Sequence, residues 1–215
     1  MFSVIFDMDG TLLDTQKICV PAWEYGGKLQ NVEGMGEHIY SVCGMNETGW
    51  TNYIKDHFPT LDIEKFKQDF KHYIATNGVV RLKKGALELL DFLKQNNIKM
   101  AVASGSSMAS ITHHLNEVGI FDYFEAFAGS HDVENGKPAP DVFLLAAKKL
   151  GVNPSDCFVF EDSANGIKAG FAAGMKCIGI PDMVEFDEET KKLMFKEFKS
   201  FDEAIELFKP LILKD

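Results

Sequence analysis

Arginine is all but missing from this chain: Arg81 is the only one in 215 residues. Lysine and arginine together number 22 against 32 acidic residues, for a formal net charge of −10. The chain therefore lacks the basic surplus with which proteins track a nucleic-acid backbone, and no nucleic-acid partner is expected. Small anionic substrates stay open, because a metal ion and a few local cations can reverse the sign at one site. Phosphate contacts would then fall mainly to lysine, backbone N–H groups and metal. Cysteine is scarce too. Cys19, Cys43, Cys157 and Cys177 are far apart and show no Cys-x-x-Cys spacing, which reads as free thiols in a reducing cytosol, with a disulfide or zinc site as the lesser alternative. No apolar run is long enough to span a membrane. The stretch from Met1 to Phe6 is too short for a signal peptide and lacks its basic flank. A soluble cytoplasmic protein without a membrane partner is expected. There is no internal repeat and no low-complexity tract.

What is present is an ordinary globular composition, 46% hydrophobic and 25% charged, in a length that suits one domain or one domain with an insertion. Val4–Phe6, Met100–Ala103, Cys157–Phe160 and Cys177–Ile180 are short apolar runs that read as buried strands, with Ala126–Ala128 as a further candidate. Helical patterns lie between them. Ala86–Gln95 places Leu87, Leu90 and Leu93 near one face, and Ser107–Val118 does the same with Ile111, Leu115 and Val118. Glycines stop the helices at Gly119, Gly151 (after Pro140–Leu150) and Gly174 (after Ala164–Ala173). Strand and helix alternating in this way predict an α/β fold, a Rossmann-like parallel sheet with helices on both faces. Thr15–Val80 breaks the pattern. It has no convincing strand, Phe66, Phe70, Tyr73 and Ile74 recur at helical spacing, and it is far longer than a crossover helix. An all-helical insertion with hinges near Thr15 and Lys83 is expected, dividing the chain into a core of residues 1–14 and 84–215 and a helical segment of residues 15–83. Gly34-x-Gly36 within it follows no strand and reads as a turn. A tail helix around Phe201–Phe208 is expected to pack on the sheet.

Polar residues cluster directly after the predicted strands, where parallel α/β sheets bind ligands. Asp7-Met8-Asp9-Gly10-Thr11 follows the first. One carboxylate there could attack phosphorus and a second could protonate the leaving oxygen and activate water; both suit a hard cation. A plain turn is the alternative. A calcium loop fails, because Leu12 and Ile18 stand where glycine and glutamate are required. Ser104-Gly105-Ser106 offers a hydroxyl and backbone N–H groups at a helix start, an anion site or simply a cap by Ser106 or Ser107. Lys137 is held between Gly136 and the stiffening Pro138 and Pro140, as a directed point charge or a solvated lysine. Glu161-Asp162-Ser163 is a second acidic pair at a strand end, where crowded carboxylates raise their pKa values or recruit a cation; helix capping by Asp162 or Ser163 is the alternative. His113 and His114 are adjacent in a predicted helix and diverge, so they read as surface or packing residues.

In conjunction, Asp7-Met8-Asp9-Gly10-Thr11-Leu12-Leu13-Asp14-Thr15, Ser104, Gly136-Lys137-Pro138 and Glu161-Asp162-Ser163-x-x-Gly166 closely resemble the haloacid dehalogenase superfamily. The resemblance covers essentially the whole chain. The helical insertion is similar to the cap of the β-phosphoglucomutase-like and phosphoglycolate-phosphatase-like branch. It implies that Asp7 is the nucleophile and Asp9 the general acid and base. It implies that Thr11, Ser104, Gly105, Ser106 and Lys137 bind substrate phosphate, and that magnesium is held by Asp7, Asp9 (through its carbonyl) and Asp162, with Glu161 a ligand or close neighbour. Dehalogenases and phosphonate hydrolases of the superfamily lack the second aspartate, so Asp9 favours phosphate esters. The expected activity is magnesium-dependent hydrolysis of a small phosphorylated metabolite, sugar phosphates included, by a monomer or weak dimer. The mutases of the branch carry a cap histidine where this chain has Cys19 and a cap arginine near the place of Asn46 and Glu47. Both departures weigh against the alternative, a hexose-phosphate mutase. A binding protein without catalysis is the remote alternative. Lys17, His38 and Trp50 are candidates for shaping specificity.

Overall fold

The computed structural model describes residues 2–42, 45 and 47–212; Cys43 and Asn46, singled out above, lie outside the described residues. Six parallel strands form one sheet: β1 (Ser3–Phe6), β2 (Met100–Ala103), β3 (Ala126–Ala128), β4 (Cys157–Glu161), β5 (Lys176–Gly179) and β6 (Lys196–Glu197), in the order β3-β2-β1-β4-β5-β6. The chain builds outward from β1 through β2 to β3, then returns to pair β4 on the other side of β1. The crevice at such a reversal is where open α/β sheets bind ligands, and it places the ends of β1 and β4 side by side. Phe6 pairs with Phe160, so Asp7 and Glu161 emerge together.

Alternation along the strands divides the core in two. Val4 and Phe6 point to one face, with Val102, Phe158 and Phe160; helices α5 (Ala86–Gln95) and α6 (Met108–Glu117) and the tail helix Phe201–Ile212 cover it. Ile5 points to the other, with Ala101, Ala103 and Val159, under α7 (Asp141–Leu150) and α8 (Ala164–Ala172). Strands buried on both faces must be apolar throughout, as the runs in the sequence are. The stacked Phe6 and Phe160 rings, 5.1 Å apart, lie directly beneath the acidic loops. In α5 the buried positions are Ala86, Leu89, Leu90 and Leu93. Leu87, expected on that face, is 41% exposed, because the i, i+3, i+4, i+7 stripe begins one residue earlier.

Between β1 and α5 the elements are helices α1 (Cys19–Lys28), α2 (Ile39–Val42), α3 (Glu47–His57) and α4 (Ile63–Asn77). They have an apolar cluster of their own, in which Trp23 packs edge-on against Trp50 and Phe66 at 5.9 and 5.5 Å, with Met35, Ile54 and Leu61. Gly26 of α1 lets the Phe66 ring press against the helix backbone, since a Cβ there would come within 2.9 Å of it. Met183, in the loop after β5, packs against this cluster. Lys83, where the chain returns toward α5, forms a half-buried ion pair with Asp182 of the same loop. Among the described residues, no helix is long and apolar enough to cross a membrane.

Candidate active site

The end of β1 is bent by Gly10, which sits at φ +84°, a conformation that glycine adopts without strain. The turn lets Asp7 and Asp9 leave the strand into different surroundings. Asp7 is buried. Its Oδ1 accepts a hydrogen bond from Lys137 Nζ at 2.6 Å, and the same ammonium donates to Glu161 Oε1 at 2.6 Å and the Ala103 carbonyl at 3.3 Å. Lys137 thus ties together the ends of β1, β2 and β4, and its Nζ lies 4.8 Å from the centre of the Phe143 ring. Burial pushes the Asp7 carboxyl up; Lys137 opposes it, Glu161 and Asp9 add to it, and the result is about 7. Burial alone would lower the Lys137 ammonium, but the Asp7 and Glu161 carboxylates hold it above its ordinary value.

Asp9 is held by hydroxyls. Thr15 Oγ1 donates to its Oδ1 at 2.8 Å and Ser106 Oγ to its Oδ2 at 2.7 Å, with Ser104 Oγ at 3.5 Å. The Asp9 carbonyl accepts from Gln16 Nε2 at 3.2 Å. Asp162 takes two donors, Thr11 Oγ1 on Oδ1 at 2.9 Å and Gln16 Nε2 on Oδ2 at 2.7 Å. Burial, then Glu161 and Asp7, raise its carboxyl well above the usual range. Glu161 faces Gly166, where any Cβ would collide with its carboxylate. Its second oxygen accepts from the Ser163 backbone and hydroxyl at 2.8 and 2.9 Å. Ser163 also caps α8 by accepting from Gly166 N, and Ser107 caps α6. Ser104 Oγ receives the Ser106 N–H at 3.0 Å, while Gly105 is exposed with open space on its Cβ side.

The structure therefore brings together Asp7, Asp9, Ser104, Ser106, Lys137, Glu161 and Asp162. The hydroxyl of Thr11 is fully buried and engaged with Asp162, so it orients that carboxylate. Gln16, which no spacing rule singles out, joins both acidic loops. One oxygen from each of Asp7, Glu161 and Asp162 lies within 4.8 Å of the others. An all-oxygen, multiply anionic set of this kind fits a hard divalent cation, which would offset the mutual repulsion of these carboxylates. His113, His114 and Glu117 also gather within 4.8 Å on α6, with His113 and Glu117 exposed; the two histidines, expected to diverge, come together with ring centres 5.2 Å apart.

A family profile described as haloacid dehalogenase-like hydrolase matches residues 3–174. The chain belongs to that family. Within it, the Bacillus subtilis protein named "Putative phosphatase YhcW" is 33% identical over 202 residues, covering 91% of this chain and 88% of its own. The fructose-1-phosphate phosphatase YqaB of Escherichia coli is 32% identical over 185 residues, covering 82% and 95%. Among solved structures, β-phosphoglucomutase from Clostridium difficile superimposes with a TM-score of 0.80 at 25% identity, over 100% of this chain and 98% of that one. The expected Rossmann-like core and the haloacid dehalogenase membership are both borne out, and with them an enzyme of the phosphohydrolase class.

Proposed function

We propose that this family member is a magnesium-dependent phosphatase of small phosphorylated metabolites, sugar phosphates among them, working through an aspartyl phosphate on Asp7. The observation that carries the reading is the buried Asp7–Lys137–Glu161 bridge beside Asp162, a nucleophile fixed at the topological switch point. Asp7 Oδ attacks phosphorus and the ester oxygen leaves, taking a proton from Asp9. Asp9 then accepts a proton from water, which attacks the phosphorus and releases Asp7. Lys137, Ser104 and the backbone N–H groups of Gly105 and Ser106 receive the phosphoryl oxygens. Asp7, Asp162 and the Asp9 carbonyl would hold magnesium, with Glu161 positioning Lys137 alongside; the cation offsets negative charge on the phosphoryl group. Residues 15–83 would serve as a cap that excludes water and selects the substrate, a role supported by their separate apolar cluster and by the contacts of Thr15 and Gln16 with the acidic loops. We place the enzyme in the cytoplasm.

A mutase is the second reading, favoured by the likeness to β-phosphoglucomutase. A mutase must keep water from the aspartyl phosphate and return the phosphoryl group to the sugar. The one arginine, Arg81, lies in the returning hinge, so helices α1 to α4 carry no arginine to hold a second phosphate, and Cys19 stands in the histidine position, its thiol turned to the Thr15 carbonyl. Incubation with β-glucose 1-phosphate, primed with the bisphosphate, separates the two. Net release of inorganic phosphate is expected; isomerisation to glucose 6-phosphate much faster than that release would establish the mutase instead.

A further inference from the structure

The Gln16 side chain ends at the point where two oxygens of the acidic loops converge. Its Nε2 donates to Asp162 Oδ2 at 2.7 Å and to the Asp9 carbonyl at 3.2 Å, one N–H for each. The network fixes the orientation of the amide, because its oxygen in that place would face two acceptors. Thr11 satisfies the other Asp162 oxygen. Gly10 makes the approach feasible: a Cβ at that residue would collide with both the Gln16 amide and the Asp162 carboxylate.

A neutral amide supplies two positive hydrogen ends to oxygens that a divalent cation would otherwise take. The two cannot share the point, since magnesium sits about 2.0–2.1 Å from its oxygens and repels an N–H. We infer that Gln16 is an internal plug of the cation site, donating to Asp9 and Asp162 in the metal-free enzyme and displaced when a cation binds. The inference rests on the proposed metal dependence, but concerns a residue outside the motif. Gln16 lies between Thr15, bonded to Asp9, and α1, which belongs to the helical cluster. Displacing it therefore removes one tether between the strand-end loops and the helices, so the occupancy of the site is linked to the freedom of the hinge.

The test is cation affinity, measured on the full chain stripped with chelator. Free Mn²⁺ is followed by electron paramagnetic resonance and Mg²⁺ by titration calorimetry, for the wild type, Gln16→Ala and Gln16→Met. The methionine keeps the length and volume without the donors. Both variants should bind about ten-fold more tightly, the worth of one hydrogen bond to a charged group that no longer has to be broken. In chelator both should melt below the wild type, and in saturating Mg²⁺ at the same temperature as it. Unchanged affinity in both variants would overturn the plug. Weaker binding would make Gln16 a ligand through its oxygen and overturn it equally. If the wild type bound no cation saturably, the metal-dependent reading would fall with it, an outcome distinct from the other two.

Discussion

At the strand ends Lys137, Asp7 and Glu161 are almost sealed from water, with side-chain exposures of 8%, 8% and 1%, and meet at 2.6 Å. On the helical segment Lys67 meets Glu47 at 3.0 Å, but the glutamate is 61% exposed. Both are ion pairs by geometry, yet burial separates them. A buried pair is costly to assemble and costlier to break, since removing one partner strands the other charge; an exposed pair is screened and contributes little. On the proposed reading the sheet loops would carry the reaction, while an exposed pair such as Lys67–Glu47 contributes little beyond solvation.

The severest test of that contrast is Asp7→Asn. An amide cannot form the acyl phosphate, so kcat should fall by at least about 10⁴-fold. Stability should hold or rise, because Lys137 keeps its second carboxylate, Glu161 at 2.6 Å, so no charge is stranded, and because Asp7 is pushed up to about 7 by burial and its ionised form is a burden to the fold at neutral pH. Phosphate release and thermal melting check both halves; retention of most activity would remove Asp7 from the nucleophile's place. Next in size is Asp9→Asn. Asp9 is held by hydroxyls and, among the described residues, has no ammonium partner, so the loss should be that of general acid–base catalysis, roughly 10²–10⁴-fold. Substrates with good leaving groups should suffer least, because they need no proton. An equal loss for all leaving groups would argue that Asp9 acts otherwise.

How much of this was legible beforehand follows the same division. Strands β1, β2 and β4 announce themselves because burial on both faces forces unbroken apolar runs. β6 does not, since two polar residues, Lys196 and Glu197, at the sheet edge leave no pattern; β5 begins at Lys176, one residue before its apolar run, for the same reason. Motif residues are legible as types at strand ends, and the fold brings Asp7, Lys137 and Glu161 to a common point. Their partners are not legible. Gln16 reaches Asp162 across 146 residues of sequence and Lys83 reaches Asp182 across 99, and no local spacing encodes such pairs. The role of Ser163 was ambiguous, and it both caps α8 and braces Glu161.

A smaller effect comes from pH. The Asp7 and Asp162 carboxyls are both raised in the folded state, chiefly by burial. A raised carboxyl binds its proton more tightly folded than unfolded. The stability it contributes is full below the unfolded value near 3.8 and is lost as pH rises through the folded one, about 7 for Asp7. In chelator, the melting temperature should therefore decline between pH 5 and 7.5 in wild type, and decline less in Asp7→Asn. Saturating Mg²⁺ should flatten the slope, because a cation favours the ionised carboxylates. A metal-free protein whose stability rises over this window through these two groups would contradict the burial argument.

The smallest effect should come from the helical segment. Glu47→Ala removes the exposed partner of Lys67, but that lysine keeps Glu64 at 3.3 Å and lies over the Trp50 ring at 5.6 Å. No charge is stranded in a dry environment, so the cost should stay within about 1 kcal/mol and shrink further in high salt. Turnover of a generic phosphate ester should be unchanged. Denaturant midpoints at low and high salt, with parallel rates, measure it. A loss as large as that from breaking the Lys137 bridge, of order 3–5 kcal/mol, would show that Glu47 is braced in the folded enzyme by more than its exposure implies. The division between a reacting sheet and a solvated helical segment would then have to be redrawn.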